Sequence, residues 1–294
     1  MFLNLREKKH RSAKPLVSAL IPSFNSESTL EAVIESIENQ KTKPSEIIVI
    51  DDCSQDQSRD VAERNGCRLL LLEKNSGRGK VRNIGVAESN SPFMLFCDSS
   101  NVIDPSFTDI ALSHFDDPRV AAVFGRIKNA AHLKNPLNRW RGRHLFREHL
   151  PYRKDIHETK SLITYAIMLK KKAVTEVGNF NCKLRQWEDQ ELGDRLIKHG
   201  YKIISNPSLC AYSIRRETIT SLALRYERWH SDYKSAQSPI SCFCANVKSS
   251  VLIFARQDIR NGDFACAALS LLMPFWLLWL RLFHKSKIRT KDIS

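Results

Sequence analysis

From Leu16 to Asp98, short apolar runs alternate with stretches of helical spacing. "LVSALIP" predicts a strand. "STLEAVIESIENQ" places Leu30, Val33, Ile34 and Ile37 on one helical face, and Ser28 with Glu31 matches a capping box. "EIIVIDD" is a continuous apolar run, as expected of a strand covered on both faces. A helix near Gln55–Arg64, the strand "CRLLLL", the helix "GRGKVRNIGVAES" and the strand "PFMLFCD" follow. This alternation predicts an α/β fold with a doubly wound, mostly parallel sheet.

The remainder is less regular. "RVAAVFGRI" predicts a strand, and "SLITYAIMLKKKAVTEVG" a strand entering a short helix. "WEDQELGDRLIKHG" predicts a helix with acids in its first turn and Gly200 as terminator. "YKIISNP" is a further strand. "TITSLALRYERWHSDY" sets Leu222, Tyr226, Trp229 and Tyr233 on one helical stripe, a packing face.

Charge changes this picture in one place. The net charge is +14, and between Arg126 and Lys172 thirteen Lys or Arg stand against three acids, Glu148, Asp155 and Glu158. Such a stretch is either a mobile, solvated loop or a surface for phosphates, nucleic acid or an anionic membrane. Its histidines, His132, His144, His149 and His157, lack zinc spacing and partner acids and read as loop residues. The eight cysteines form no CxxC pair. They read as reduced thiols of a cytosolic protein, and the N-terminus is too polar for a secretory signal.

Ligands of doubly wound sheets sit beyond the carboxyl ends of the strands. The acids fall there: Asp51 and Asp52 end one apolar strand and Asp98 another.

These motifs, in order, resemble a family 2 glycosyltransferase with the GT-A fold over about Leu16 to Tyr212. "IPSFN", "IVIDDCSQD", "NSGRGKVRNIGVAES", "FCDSSN" and "WEDQELGDRL" carry the resemblance. It implies transfer of a sugar, with inversion, from a nucleotide-diphosphate sugar to a hydroxyl of a glycan or lipid-linked acceptor. Pro22, Phe24 and Asn25 would wall the base pocket. Asp52 would accept from the base or ribose, or else cap the next helix. Gly77 and Gly79 would let the backbone approach the donor. Lys80 or Arg82 would offset diphosphate charge, or else be surface cations. Asp98 would contact the ribose or a metal sphere. Asp189, beside Glu188, would be the catalytic base, and Trp187 would stack on an acceptor sugar or pack.

The resemblance also implies Mg²⁺ or Mn²⁺ held by the second acid of a DxD motif. Ser100 stands there, and Ser213 stands near the place of a late histidine ligand. The site therefore reads as degenerate or independent of metal, with no metal ligand set, and Arg215, Arg216 or the 126–172 stretch is expected to offset charge.

"FACAALSLLMPFWLLWL", Phe264 to Leu280, is the one membrane candidate. At ~1.5 Å per residue it reaches roughly 25 Å, short of the ~30 Å hydrocarbon core. Pro274 interrupts it, and the catalytic domain and the basic tail favour the same side. An interfacial helix on the cytoplasmic face of the inner membrane is expected, against a buried helix or an oligomer contact. The expected organisation is a basic tail (1–15), the glycosyltransferase domain (16–215), a helical extension (216–263) and the membrane-associated helix with its tail (264–294). Two rivals are a GT-A domain that binds without turnover and, last, a nucleic-acid-binding protein; no nucleic-acid partner is expected.

Overall fold

The computed structural model describes residues 16–151, 153–184, 186–230, 243–244 and 246–283. The 1–15 tail, Cys242, Tyr233 of the expected stripe and the 284–294 tail lie outside the described residues.

The first half folds as its periodicity dictates. β1 (Val17–Ser23), α1 (Leu30–Glu38), β2 (Glu46–Asp51), α2 (Ser58–Arg64), β3 (Arg68–Leu71), α3 (Arg78–Glu88) and β4 (Phe93–Cys97) alternate in chain order. β1 pairs in parallel with β2 and β4, and β2 with β3. Ile48, Val49 and Ile50 have no exposure, which explains the unbroken apolar run of β2. Leu30, Val33, Ile34 and Ile37 form the buried face of α1.

The expected Ser28–Glu31 capping box is not made. The helix starts one residue late, with Thr29 at its cap and no side-chain cap bond. Thr29 Oγ1 instead donates to the Ser99 carbonyl at 2.7 Å, tying the start of α1 to the loop after β4.

The second half adds β5 (Asn101–Ile103), α4 (Phe107–Leu112), β6 (Val120–Asn129), α5 (Pro136–His144), β7 (His157–Glu158) and β8 (Ala166–Lys170). α6 (Lys171–Glu176), α7 (Glu188–Lys198) and β9 (Lys202–Ser213) follow. The sheet runs β3-β2-β1-β4-β8-β6-β9-β5, with β7 on β9. β8 is antiparallel to β4 and β6, β9 is parallel to β6, and β5 is antiparallel to β9. The β6–β9 register shifts between Phe124 and Arg126, at Gly125. A Cβ on Gly125 would stand 1.9 Å from the Leu209 carbonyl oxygen, so only glycine allows this approach.

The basic stretch is not a mobile loop. Asn135 caps α5 by accepting from the Asn138 amide at 2.9 Å, with Pro136 in the first turn. Trp140 and Arg141 on this helix have no exposure. α8 (Ile219–His230), a π-helical segment (Lys248–Ala255), α9 (Arg256–Arg260) and α10 (Phe264–Phe283) pack with α5. Leu222, Tyr226, Cys266, Met273, Leu277 and Leu280 bury themselves around Trp140 as a second apolar cluster.

Acids from the C-terminal segment neutralise α5. Arg139 pairs with Asp263 at 2.8 Å, and Arg143 with Asp258 and Asp263. His144 is no loop residue: it is buried, stacked on Phe254, with its Nε2 2.9 Å from Asp258. The partner acid lies 114 positions away in sequence, outside any local spacing.

Candidate active site

A cleft of about 680 Å³, its open mouth included, lies at the carboxyl ends of β1, β2 and β4. Pro22 and Phe24 line one wall, Asp52 another, and Asp98, Ser99 and Ser100 the floor.

The turns after β1 and β2 are fastened together. The Asn25 amide donates to Ser54 Oγ at 2.9 Å, and the Gln55 amide to Asn25 Oδ1 at 2.8 Å. Asn25 takes a left-handed backbone, φ 48°, and is exposed. It joins the two turns and does not line the cleft.

Asp52 is buried and reaches across to the start of α3. Its two oxygens accept from the amides of Ser76 at 2.7 Å and Gly77 at 3.1 Å. The cap of the following segment falls to Asp51, whose Oδ1 accepts from the Ser54 amide and from Arg59 Nε. Burial pushes the Asp52 carboxyl up, and the two amides pull against it. Gly77 has φ +83°, which a side chain would strain. Gly79 serves another purpose: a Cβ there would sit 3.1 Å from the Asn181 carbonyl, so it admits the 181–182 loop rather than a donor.

Four arginines line the cleft: Arg78 and Arg82 from α3, Arg215 after β9, and Arg225 from α8. Lys80 and Arg216 are exposed and absent from the lining. Helical spacing accounts for α3, because positions 78 and 82 share a face that position 80 does not. Arg82 is 4% exposed and pairs with Glu188, equally buried, with Asp98 at 3.9 Å. Burial acts to lower its pKa, but Glu188, Asp98 and Asp189 overcome that and leave it raised. Its charge is thus committed to three acids.

Asp98 keeps 45% of its side chain exposed. Enclosure raises its carboxyl pKa against the charges of Arg82, Arg78 and Arg225. Ser99 Oγ is hydrogen-bonded to Ser26 Oγ at 2.6 Å. Ser213 pairs in the sheet with Asn101, the neighbour of Ser100, and is buried. Among the described residues no three His, Cys, Asp or Glu form a group able to hold a metal ion.

Asp189 stands beside the cleft, at the start of α7, within electrostatic reach of Arg82 and Arg78. Its Oδ2 accepts from Thr164 Oγ1 at 3.3 Å and its Oδ1 from the Gln190 amide at 2.8 Å. Burial and then the Glu188 charge push its carboxyl up. Trp187 precedes the helix with a left-handed backbone, φ 65°, a costly conformation for so large a residue.

Residues 18–178 match Glycosyl transferase family 2, more than half of the chain. The chain belongs to that family. It is 28% identical over 210 residues to the pre-mycofactocin glycosyltransferase of Mycobacterium tuberculosis, covering 68% of this chain and 43% of that protein. It is 23% identical over 230 residues to the poly-beta-1,6-N-acetyl-D-glucosamine synthase of Staphylococcus aureus, covering 72% and 53%. The chain spans less than half the length of the first of these relatives. Among solved structures, S. aureus TarS 1–349 in complex with UDP-GlcNAc superposes with a TM-score of 0.55 at 19% identity, over 95% of this chain and 88% of that one. The mannosyltransferase PcManGT of Pyrobaculum calidifontis, in complex with GDP-Man and Mn²⁺, gives 0.52 at 14% identity, over 91% and 73%. The two structural likenesses show the fold to be that of GT-A glycosyltransferases.

Arg78 and Arg225 were missed by sequence reasoning. The spacing of 78 and 82 could have signalled the first. Arg225 sits within a helix whose aromatic stripe marks a packing face, and the chain gives no local sign that this position lines the same cleft as Asp98.

Proposed function

We propose that this protein transfers a sugar from a nucleotide-diphosphate sugar to a hydroxyl of a glycan or lipid-linked acceptor, with inversion and with Asp189 as base. The observation that carries this reading is the arginine-lined cleft at the strand ends with a raised-pKa carboxyl beside it. Such a base is poised nearer neutrality than an ordinary aspartate. The acceptor oxygen attacks the anomeric carbon as its proton passes to Asp189. The bond from that carbon to the diphosphate breaks, and the electron pair leaves with the nucleotide. Thr164 and the Gln190 amide hold the carboxylate in place. Glu188, tied to Arg82, positions it rather than moving protons.

The same reading places the enzyme at a membrane surface. Among the described residues no helix is long and apolar enough to cross a membrane. α10 buries one face in the second cluster and exposes Phe264, Leu272, Phe275 and Phe283 on the other. Leu252, Ile253 and Ile259 add to the exposed apolar surface of these helices. An interfacial helix on the cytoplasmic side, near a lipid-linked acceptor, accounts for this face.

The test is nucleotide release and sugar transfer with UDP- and GDP-sugars. Asp189→Asn should lower turnover by about 10²-fold with nucleotide affinity kept. An active Asp189→Asn enzyme removes the base assignment. Nucleotide binding without turnover by the unaltered protein leaves a non-catalytic binding domain.

A further inference from the structure

The cleft does not suit a divalent cation. Mg²⁺ and Mn²⁺ take several oxygen ligands, usually with one or two carboxylates. Asp98 offers a carboxylate already shared with Arg82, and Ser99 is engaged with Ser26. The two oxygens of Asp52 already accept from the Ser76 and Gly77 amides.

Cations occupy the other side. Arg225 lies 3.0 Å from Glu217, which is fully buried and also pairs with Arg141 at 2.8 Å. Arg141 in turn donates to the Arg215 carbonyl at 3.0 Å, and Asn138 Nδ2 donates to the same oxygen at 2.9 Å. The backbone of Arg215 is therefore pinned, while its guanidinium donates no hydrogen bond to any described residue. The guanidinium is exposed on the cleft; its partial enclosure and the charge of Arg225, then of Arg78, pull its pKa down, with Glu217 acting the other way.

We propose that Arg215 and Arg225 neutralise the donor diphosphate in this cleft in place of a divalent cation. The inference rests on the donor reading above. Both residues lie beyond the stretch that matches the family, 18–178. A guanidinium presents paired N–H donors that match two phosphate oxygens, and its charge meets the charge that builds on the diphosphate as the anomeric bond breaks.

The experiment is calorimetry of the full chain with UDP, GDP and inorganic pyrophosphate, each in EDTA and in MnCl₂. The affinity for whichever probe binds should change by less than about threefold between the two conditions, worth under ~0.7 kcal/mol. Arg215→Gln and Arg225→Gln should each weaken it by about tenfold, the loss of a charge-assisted contact. Arg225→Gln also disturbs Glu217, so Arg215→Gln, whose side chain holds no part of the fold, isolates the effect. Affinity that falls more than about tenfold in EDTA and returns with Mn²⁺ overturns the inference and leaves the donor reading intact. Unchanged affinity in Arg215→Gln overturns it as well. If none of the three probes binds in either condition, the donor reading falls and this inference with it.

Discussion

Arg82 on α3 and Glu188 on α7 form an ion pair in which each side chain is 4% exposed. The pair joins the first half of the sheet to the helix that carries Asp189. Removing one partner of a buried pair leaves an uncompensated charge, at a cost of about 3–5 kcal/mol. Glu188→Gln has a second effect with a definite sign. The Glu188 charge raises the Asp189 pKa and Arg82 lowers it. Without Glu188, the pKa of Asp189 falls, and the acidic limb of the kcat/KM profile should move to lower pH. A limb that stays or moves up would show that Asp189 does not set it.

Glu217 gives a prediction for stability. Burial would raise its carboxyl, but Arg225 and Arg141 hold it down at about 2, below the ordinary 4.5. The same burial pulls Arg141 down to about 10, so the desolvated cation offsets part of what the carboxylate gains. A depressed carboxyl contributes stability above its unfolded value and loses it as pH falls through the folded one. Urea unfolding at a series of pH values should therefore show this contribution lost between about 4.5 and 2. Glu217→Gln should flatten that interval and lower stability at neutral pH by about 3–5 kcal/mol.

The link between Asp52 and Gly77 supports a third prediction. Gly77→Ala should cost about 1 kcal/mol, because alanine at φ +83° is strained. Asp52→Ala removes both acceptors and frees the 76–77 turn. Both variants should weaken UDP or GDP binding while the melting temperature falls by only a few degrees, about 2–4 °C per kcal/mol for a chain of this size. Nucleotide affinity unchanged in Asp52→Ala would detach this carboxylate from the donor site.

The exposed face of α10 is tested by charge, not by truncation. Cutting near Asn261 would strip Met273, Leu277 and Leu280 from the cluster around Trp140 and unseat α8, which carries Arg225. Leu272→Glu with Phe275→Glu alters positions that are each 58% exposed. Thermal stability should hold, and sedimentation with anionic vesicles should fall about tenfold or more. Equal sedimentation by the variant would rule out this face.

Much of the sheet was legible because its signals are local. The β2 run, the α1 stripe and the strand-end acids each lie within ten or so residues, the range over which periodicity speaks. Asn135-Pro136 was an equally local cap signal, obscured by the charge of the stretch around it. What the chain did not disclose is set by distant pairing. Arg82 with Glu188, Arg141 with Glu217 and His144 with Asp258 join positions that no periodicity relates. Ionisable residues in such pairs look the same in sequence as solvated ones, so the sequence leaves a surface cation open for Arg82, which is buried, and reads His144 as a loop residue.

The place of β5 in the sheet has a consequence for synthesis. β5 follows β4 at once in the chain, yet its ladder partner is β9, with Asn101 opposite Ser213. As the polypeptide leaves the ribosome, the parallel β1–β4 unit can assemble early. The Asp98–Ser100 floor, by contrast, has no flanking ladder on its β5 side until β9 has emerged, and Arg225 emerges later still. Ordering of that floor is a late, long-range event, and the nascent chain meanwhile leaves β5 as an unpaired edge available to chaperones or to a neighbouring copy.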